Sequence, residues 1–227
     1  MKTHIVVGGT KGIGKSTLES LPAEDQRISI SRNIPDHPIP GVQYLQADVQ
    51  TDDLPEIVEV DSITYCPGSI NLRPFKALKR DQFLEDLEIN YLGAIKTIQT
   101  YLRSLKVREN ASIVLFSTVA VGQGMPFHSS IAGAKGAVEG LVRSLSAELA
   151  PDIRVNAIAP TVTDTNLASR LLRDEKAREN IASRQPLKRI VDPSEIGAMV
   201  AFLHSNNARS ITGQILGIDA GMSVVRN

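Results

Sequence analysis

The sequence has no tryptophan, a single cysteine and no surplus of charge of either sign. Cys66 alone cannot form an internal disulfide, and a lone cysteine in a chain of 227 residues points to a reducing compartment, so a cytoplasmic setting is expected. The 25 Lys+Arg balance 25 Asp+Glu, which removes any bulk attraction to nucleic acid or anionic lipid and leaves a small molecule as the expected partner. Long apolar runs are missing too. Ile5–Val7 is too brief for the apolar core of a signal peptide, and no stretch approaches the roughly 18–20 residues of a membrane span, so no membrane partner is expected. Repeats and low-complexity tracts are absent, and the proline-rich patch Pro35–Pro40 is short enough to be a loop. No metal site is expected. With 42% hydrophobic residues the chain can still build a substantial core, which excludes a disordered or fibrous protein.

What is present is alternation. Short apolar runs trade places with amphipathic stretches along the whole length, the pattern of α/β construction around a parallel sheet. Seven strands are predicted, at His4–Val7, Arg27–Ser31, Val42–Ala47, Ser62–Tyr65, Ser112–Ser117, Val155–Ile158 and Gln214–Ile218. A helix is predicted from Asp81 to Leu105, where Phe83, Leu87, Tyr91, Ile95, Ile98, Leu102 and Leu105 form a stripe expected to face the sheet. A second, Ser129 to Leu149, sets Ile131, Ala134, Val138, Leu141, Leu145 and Leu149 on one side, and Pro151 stops it. Gly133, Gly136 and Gly140 weaken that helix in isolation, so packing must hold it. A third begins at Asp192-Pro193-Ser194-Glu195, with Asp192 as cap, Pro193 at the first helical position and Glu195 completing a capping box. No linker separates these units. Residues 1–227 are therefore expected to form one domain, a Rossmann-type doubly wound parallel sheet of about seven strands with helices on both faces.

The first strand runs into Val7-Gly8-Gly9-Thr10-Lys11-Gly12-Ile13-Gly14-Lys15-Ser16, which has two incompatible phosphate-binding readings. As GxxxxGK[ST], Gly9 and Gly14-Lys15-Ser16 form the P-loop of a nucleoside triphosphatase, with Lys15 on the β/γ-phosphates and Ser16 on magnesium. As a dinucleotide turn, Gly8, Gly12 and Gly14 let the backbone approach a pyrophosphate at a helix N-terminus. A bare strand-to-helix turn explains one glycine at positive φ, but not four glycines in seven residues. A P-loop enzyme also needs an aspartate at the end of another apolar strand to organise magnesium. The strands ending at Phe116 and Tyr65 run into Ser117 and Cys66, and Asp48 follows a strand interrupted by Gln46, so the dinucleotide reading is favoured.

Further segments then occur in a telling order: Ala47-Asp48-Val49, Glu88-Ile89-Asn90, Arg154-Val155-Asn156-Ala157-Ile158-Ala159-Pro160 with Thr163 and Thr165, and Ile211-Thr212-Gly213-Gln214 with Asp219-Ala220-Gly221. With the glycine turn, they resemble the short-chain dehydrogenase/reductase family over essentially the whole chain. The resemblance implies a nicotinamide dinucleotide held by Gly8, Thr10, Lys11, Gly12, Ile13 and Gly14, by Asp48 and Val49 at the adenine, and by Gly68, Lys135, Pro160, Thr163 and Thr165 towards the nicotinamide. It also implies a homodimer or homotetramer assembled through the two long helices. The second strand ends without an acid for a free ribose 2′-hydroxyl. Instead Ser31, Arg32 and Lys11 supply a hydroxyl and two cations where a 2′-phosphate would sit, so NADP(H) is favoured over NAD(H). Cys66-Pro67-Gly68 stands where the family has Asn-Ala-Gly, and Cys66 is expected to fill space as a small apolar residue.

The family's chemistry uses a tyrosine four residues before a lysine, and a serine about thirteen residues before the tyrosine. Lys135 matches the lysine, Asn90 the asparagine of the central helix, and Thr118 takes the serine's place with an equivalent hydroxyl. The tyrosine's position holds Ile131, which can neither give nor take a proton. His128, three residues earlier, is the expected substitute donor, its alternative being an ordinary loop residue beside a capping Ser129 or Ser130. Three functions are therefore open: an NADP(H)-dependent oxidoreductase of a small carbonyl or alcohol with an altered proton route, a dinucleotide-binding protein of little turnover with a sensing or oligomeric role, and, as the remote alternative, a P-loop nucleoside triphosphatase.

Overall fold

The computed structural model describes residues 1–225, so the last two positions of the expected domain lie outside the described residues. Strands β1 (Thr3–Val7), β2 (Gln26–Ser31), β3 (Val42–Gln46), β4 (Ser62–Tyr65), β5 (Ala111–Phe116), β6 (Ile153–Pro160) and β7 (Ile215–Ile218) are all parallel, in the order β3-β2-β1-β4-β5-β6-β7. Every residue of β1, β4 and β5 is buried, because a parallel sheet covered on both faces needs apolar runs and not alternation. β6 extends beyond the apolar run that announces it, starting at Ile153. Arg154 conceals this start: it is buried, and its guanidinium donates to Asn110 Oδ1 at 2.9 Å and to the Leu203 carbonyl at 2.8 Å.

The helices are α1 (Gly12–Ser20), α2 (Arg80–Leu87), α3 (Gly93–Lys106), α4 (Val119–Gly122), α5 (Ser129–Glu148), α6 (Glu175–Arg184) and α7 (Pro193–His204). One face of the sheet packs Ala94, Ile98, Tyr101 and Leu105 of α3 with Val138 and Val142 of α5. On the other face Ile196, Val200 and Leu203 of α7 pack against Val114, Phe116 and Ile158, while Leu18 of α1 meets Val6. The cap expected at Asp192 is formed: Asp192 Oδ1 accepts the Ser194 N–H at 2.8 Å, and the Asp192 N–H donates to Glu195 Oε1 at 2.9 Å.

The long helix expected from Asp81 to Leu105 is interrupted. A π-helical turn, Glu88–Leu92, joins α2 to α3, with the Gly93 N–H reaching back to the Glu88 carbonyl. The wider turn takes in one extra residue and changes which side chains face inward. Beyond it the buried positions are Ala94, Thr97, Ile98, Tyr101 and Leu105, while Ile95 and Leu102 of the expected stripe are half-buried. Among the described residues no helix is long and apolar enough to cross a membrane, and no group of three or more His, Cys, Asp or Glu could hold a metal ion.

Candidate active site

The strand order reverses between β1 and β4, whose chains leave in opposite directions and open a crevice at the carboxyl end of the sheet. Gly8 ends β1 there at φ +78°, and a Cβ on it would lie 3.2 Å from Pro67 of the loop after β4. Gly14 is tighter. A Cβ on it would lie 2.2 Å from the Gly8 carbonyl oxygen, so the first turn of α1 rests directly on the end of β1. Lys11 at the N-cap makes no side-chain cap, and the first turn of α1 carries no acid. The N–H groups of that turn thus face a cradle that only a chain without Cβ atoms leaves open, which fits a pyrophosphate. Lys15, which the P-loop reading would place on the phosphates, lies in the first turn of α1, exposed, with Nζ 3.7 Å from Glu19 Oε1 one turn further along.

Lys11 and Arg32 are both exposed at the ends of β1 and β2, and neither is paired with a carboxylate among the described residues. Ser31 is buried beside them, its Oγ 3.2 Å from Ser29 Oγ, and Thr10 is half-buried in the turn. Asp48 is half-buried and accepts the Gln50 N–H at 3.0 Å. Val49 does not open to the crevice: its side chain is part of the hydrophobic core. Only its backbone is left for a cofactor.

A cavity of about 250 Å³ lies below the crevice and collects most of the other expected residues: Ile13, Gly68, Asn90, Thr118, His128, Ile131, Lys135, Pro160, Thr163 and Thr165. The loop after β6 closes it from above, with Thr165 Cγ2 3.1 Å from where a Cβ of Gly12 would be. Thr163 is buried and donates to the Thr161 carbonyl at 3.0 Å. Thr118 caps α4, its Oγ1 accepting the Ala120 N–H at 3.3 Å, so its hydroxyl hydrogen remains free for an oxygen in the cavity. Ile131 and Lys135 sit one turn apart on α5, both buried. Burial lowers the Lys135 ammonium to about 8, with Cys66 and Asp86 acting in the opposite direction. Cys66 lines the cavity as a protonated thiol, pushed up to about 12 by burial. His128 directs Nδ1 at the Pro126 carbonyl at 2.7 Å; a carbonyl only accepts, so Nδ1 carries the hydrogen and Nε2 is the basic nitrogen.

Sequence reasoning missed the floor of the cavity. Ser69 lines it, and its Oγ donates to Asp86 Oδ1 at 2.6 Å and accepts from Asn90 Nδ2 at 3.0 Å. Asn90 Nδ2 also donates to the Asp86 carbonyl at 2.8 Å. Asp86 is fully buried, one turn before Asn90. Its neighbours Asp81, Glu85 and Glu88 make it look like one more solvated charge in the sequence. Met222 and Gln185, far along the chain, complete the walls.

The chain and its fold resemble known proteins. A family profile described as enoyl-(acyl carrier protein) reductase matches residues 54–223. A 3-oxoacyl-[acyl-carrier-protein] reductase of Thermotoga maritima is 28% identical, the match covering 98% of each chain. A tropinone reductase homologue of Arabidopsis thaliana is 32% identical over 97% of this chain and 92% of its own. Among solved structures, a short chain dehydrogenase family protein from Francisella tularensis superposes with a TM-score of 0.92 at 27% identity, covering 99% of this chain and 100% of its own.

Proposed function

The chain belongs to the short-chain dehydrogenase/reductase family, and from that premise we propose that it is an NADP(H)-dependent oxidoreductase of a small, largely apolar carbonyl or alcohol, with a proton donor other than residue 131. The observation that carries the reading is the meeting of Thr118, Asn90 and Lys135 in one cavity below the glycine turn. A bound nicotinamide dinucleotide supplies the hydride in reduction and accepts it in oxidation. The turn of Gly8, Gly12 and Gly14 holds its pyrophosphate, and Lys11, Arg32 and Ser31 receive a 2′-phosphate. Pro160, Thr163 and Thr165 border the nicotinamide end. Thr118 donates to the substrate oxygen and stabilises the charge that develops there. His128 and Lys135 both line the cavity as candidate proton donors, and burial brings Lys135 to about 8. Met125, Leu167 and Leu171 form walls suited to an apolar substrate. A homodimer or homotetramer in the cytoplasm completes the proposal.

The test is a fluorescence titration with NADPH, NADH and magnesium-ATP, followed by a panel of aldehydes and ketones. Tight NADPH binding with turnover is expected, and magnesium-dependent ATP binding without NADPH binding would refute the reading. Ile131 favours a second reading, a dinucleotide-binding protein with little turnover. If the native chain binds NADPH without turning over, and Ile131→Tyr raises carbonyl reduction by about 10²–10⁴, the range general acid catalysis supplies, that second reading replaces the first.

A further inference from the structure

Asp86 is the one fully buried carboxylate at the floor of the cavity, and half of it has no partner. Ser69 Oγ and Asn71 Nδ2 donate to Oδ1 at 2.6 and 3.0 Å, while Oδ2 is enclosed and makes no hydrogen bond. The charged form of a carboxylate in that condition is favoured by a positive charge nearby, since hydrogen bonds from two neutral groups to one oxygen offset only part of its lost hydration. α2, which carries Asp86, packs on α5, which carries the buried Lys135. We propose that Asp86 is a positioning residue that keeps the proton of Lys135 in place for delivery into the cavity, so that Lys135 is the donor that Ile131 cannot be. The inference rests on the oxidoreductase reading above.

The surroundings of Lys135 single out Asp86. Two groups favour its charged form, Cys66 and Asp86. Cys66 does so only as a thiolate, yet burial keeps it a neutral thiol up to about 12, well above the range in which Lys135 titrates. Asp86 is the remaining acidic group. Other ionisable groups on the packed elements are engaged or turned outward. Glu139 on α5 accepts from Ser117 Oγ and Arg143, Arg154 on β6 is bound to Asn110 and Leu203, and Arg80, Asp81 and Glu85 of α2 are exposed. Glu88 and Tyr91 lie on the π-helical turn, half-buried, and His128 and Arg184 lie at the cavity wall; none is among the groups that shift Lys135. In reduction, a bound nicotinamide dinucleotide would supply the hydride to the carbonyl carbon, and the carbonyl π pair would move onto oxygen. That oxygen then takes a proton from Nζ of Lys135, leaving a neutral amine that regains a proton from water.

The test reads Lys135 directly. In protein carrying lysine isotope-labelled at Cε, the Lys135 resonance should titrate near 8 in the native chain. In Asp86→Asn, a nearly isosteric change, it should move down by about one pH unit, the size expected on removing an adjacent opposite charge, and Asp86→Glu should bring it back up. Cys66→Ser should leave it in place. An unmoved inflection in folded Asp86→Asn overturns the proposal, as does a Cys66→Ser shift of the same size, which keeps the proposal falsifiable even where Asp86→Asn fails to fold. NADPH-dependent carbonyl reduction should fall as pH rises through the same inflection and shift with it. A chain with the expected titration that binds no NADPH overturns the oxidoreductase reading, and with it the use of the proton, while the Asp86–Lys135 pairing stands on the titration alone.

Discussion

Gly14→Ala is the sharpest perturbation the structure offers. The added methyl would sit 2.2 Å from the Gly8 carbonyl oxygen, 2.9 Å from the Gly8 carbonyl carbon and 3.1 Å from Gly9 Cα. All three are backbone, so no side chain can swing aside. Restoring an ordinary contact requires α1 and the end of β1 to part by about 1 Å, and forced overpacking of this kind costs about 1–3 kcal/mol. For a chain of this length that corresponds to a melting temperature lower by about 2–4 °C for each kcal/mol. The same 1 Å stretches hydrogen bonds from the first turn of α1 to a pyrophosphate from about 2.9 Å to beyond the useful range. Losing a single hydrogen bond to a charged group, worth about 1.5–3 kcal/mol, weakens binding by at least about tenfold. Gly133→Ala is the matched control. A Cβ there meets nothing within 4 Å, and alanine in a helix interior gains about 0.5–1 kcal/mol over glycine, so this variant should melt higher. Thermal melts and NADPH titrations on both variants decide the matter. A Gly14→Ala protein that melts and binds NADPH like the native chain would refute the account of the turn.

Lys11→Ala and Arg32→Ala should each weaken NADPH by about three- to tenfold and leave NADH almost unchanged, as expected for exposed cations that read a phosphate; equal losses for both cofactors would count against the 2′-phosphate assignment. The buried histidines carry a pH signature. His204 Nδ1 and Nε2 lie 2.6 Å from Ser112 Oγ and 2.8 Å from Thr64 Oγ1, and burial holds its imidazole well below the ordinary 6.5; His4 is lowered as well. The unfolded chain therefore binds protons near 6.5 that the folded chain refuses. Stability is full above 6.5 and is lost as pH falls below it, by up to about 1.4 kcal/mol per pH unit for each excluded proton. Melting curves across that range should show the decline, and His204→Gln should flatten it; a native profile that is level from neutral to mildly acidic pH would contradict the buried neutral imidazole.

The sheet was legible because its strands are apolar on both faces, and the same condition that buries them writes them into the sequence as Ile5–Val7 or Ile113–Phe116. The spacing of Ile131 and Lys135 was legible too, since both lie on one helix and local geometry follows from chain distance. Other features needed the folded chain. The start of β6 hides behind Arg154, whose guanidinium is satisfied by partners 44, 49 and 57 residues away. Asp86 reads as a surface carboxylate until Ser69, 17 residues earlier, is brought against it. Val49 follows Asp48 in a cofactor-like segment, yet the turn closed by the Thr51 and Asp52 N–H groups on the Asp48 carbonyl sends its side chain into the core.

The π-helical turn Glu88–Leu92 has a further consequence, for what lengths this chain tolerates. Successive residues on an α-helix are about 100° apart around its axis. Winding the same residues as a regular α-helix, with none removed, would rotate one half against the other by that angle. Either Asn90 would leave the cavity or Tyr101 and Leu105 would leave the core. The wider turn absorbs one surplus residue and so keeps the floor of the cavity and the hydrophobic core in phase. A second inserted residue there has no such turn to absorb it, and is the smallest edit that separates the scaffold from its site.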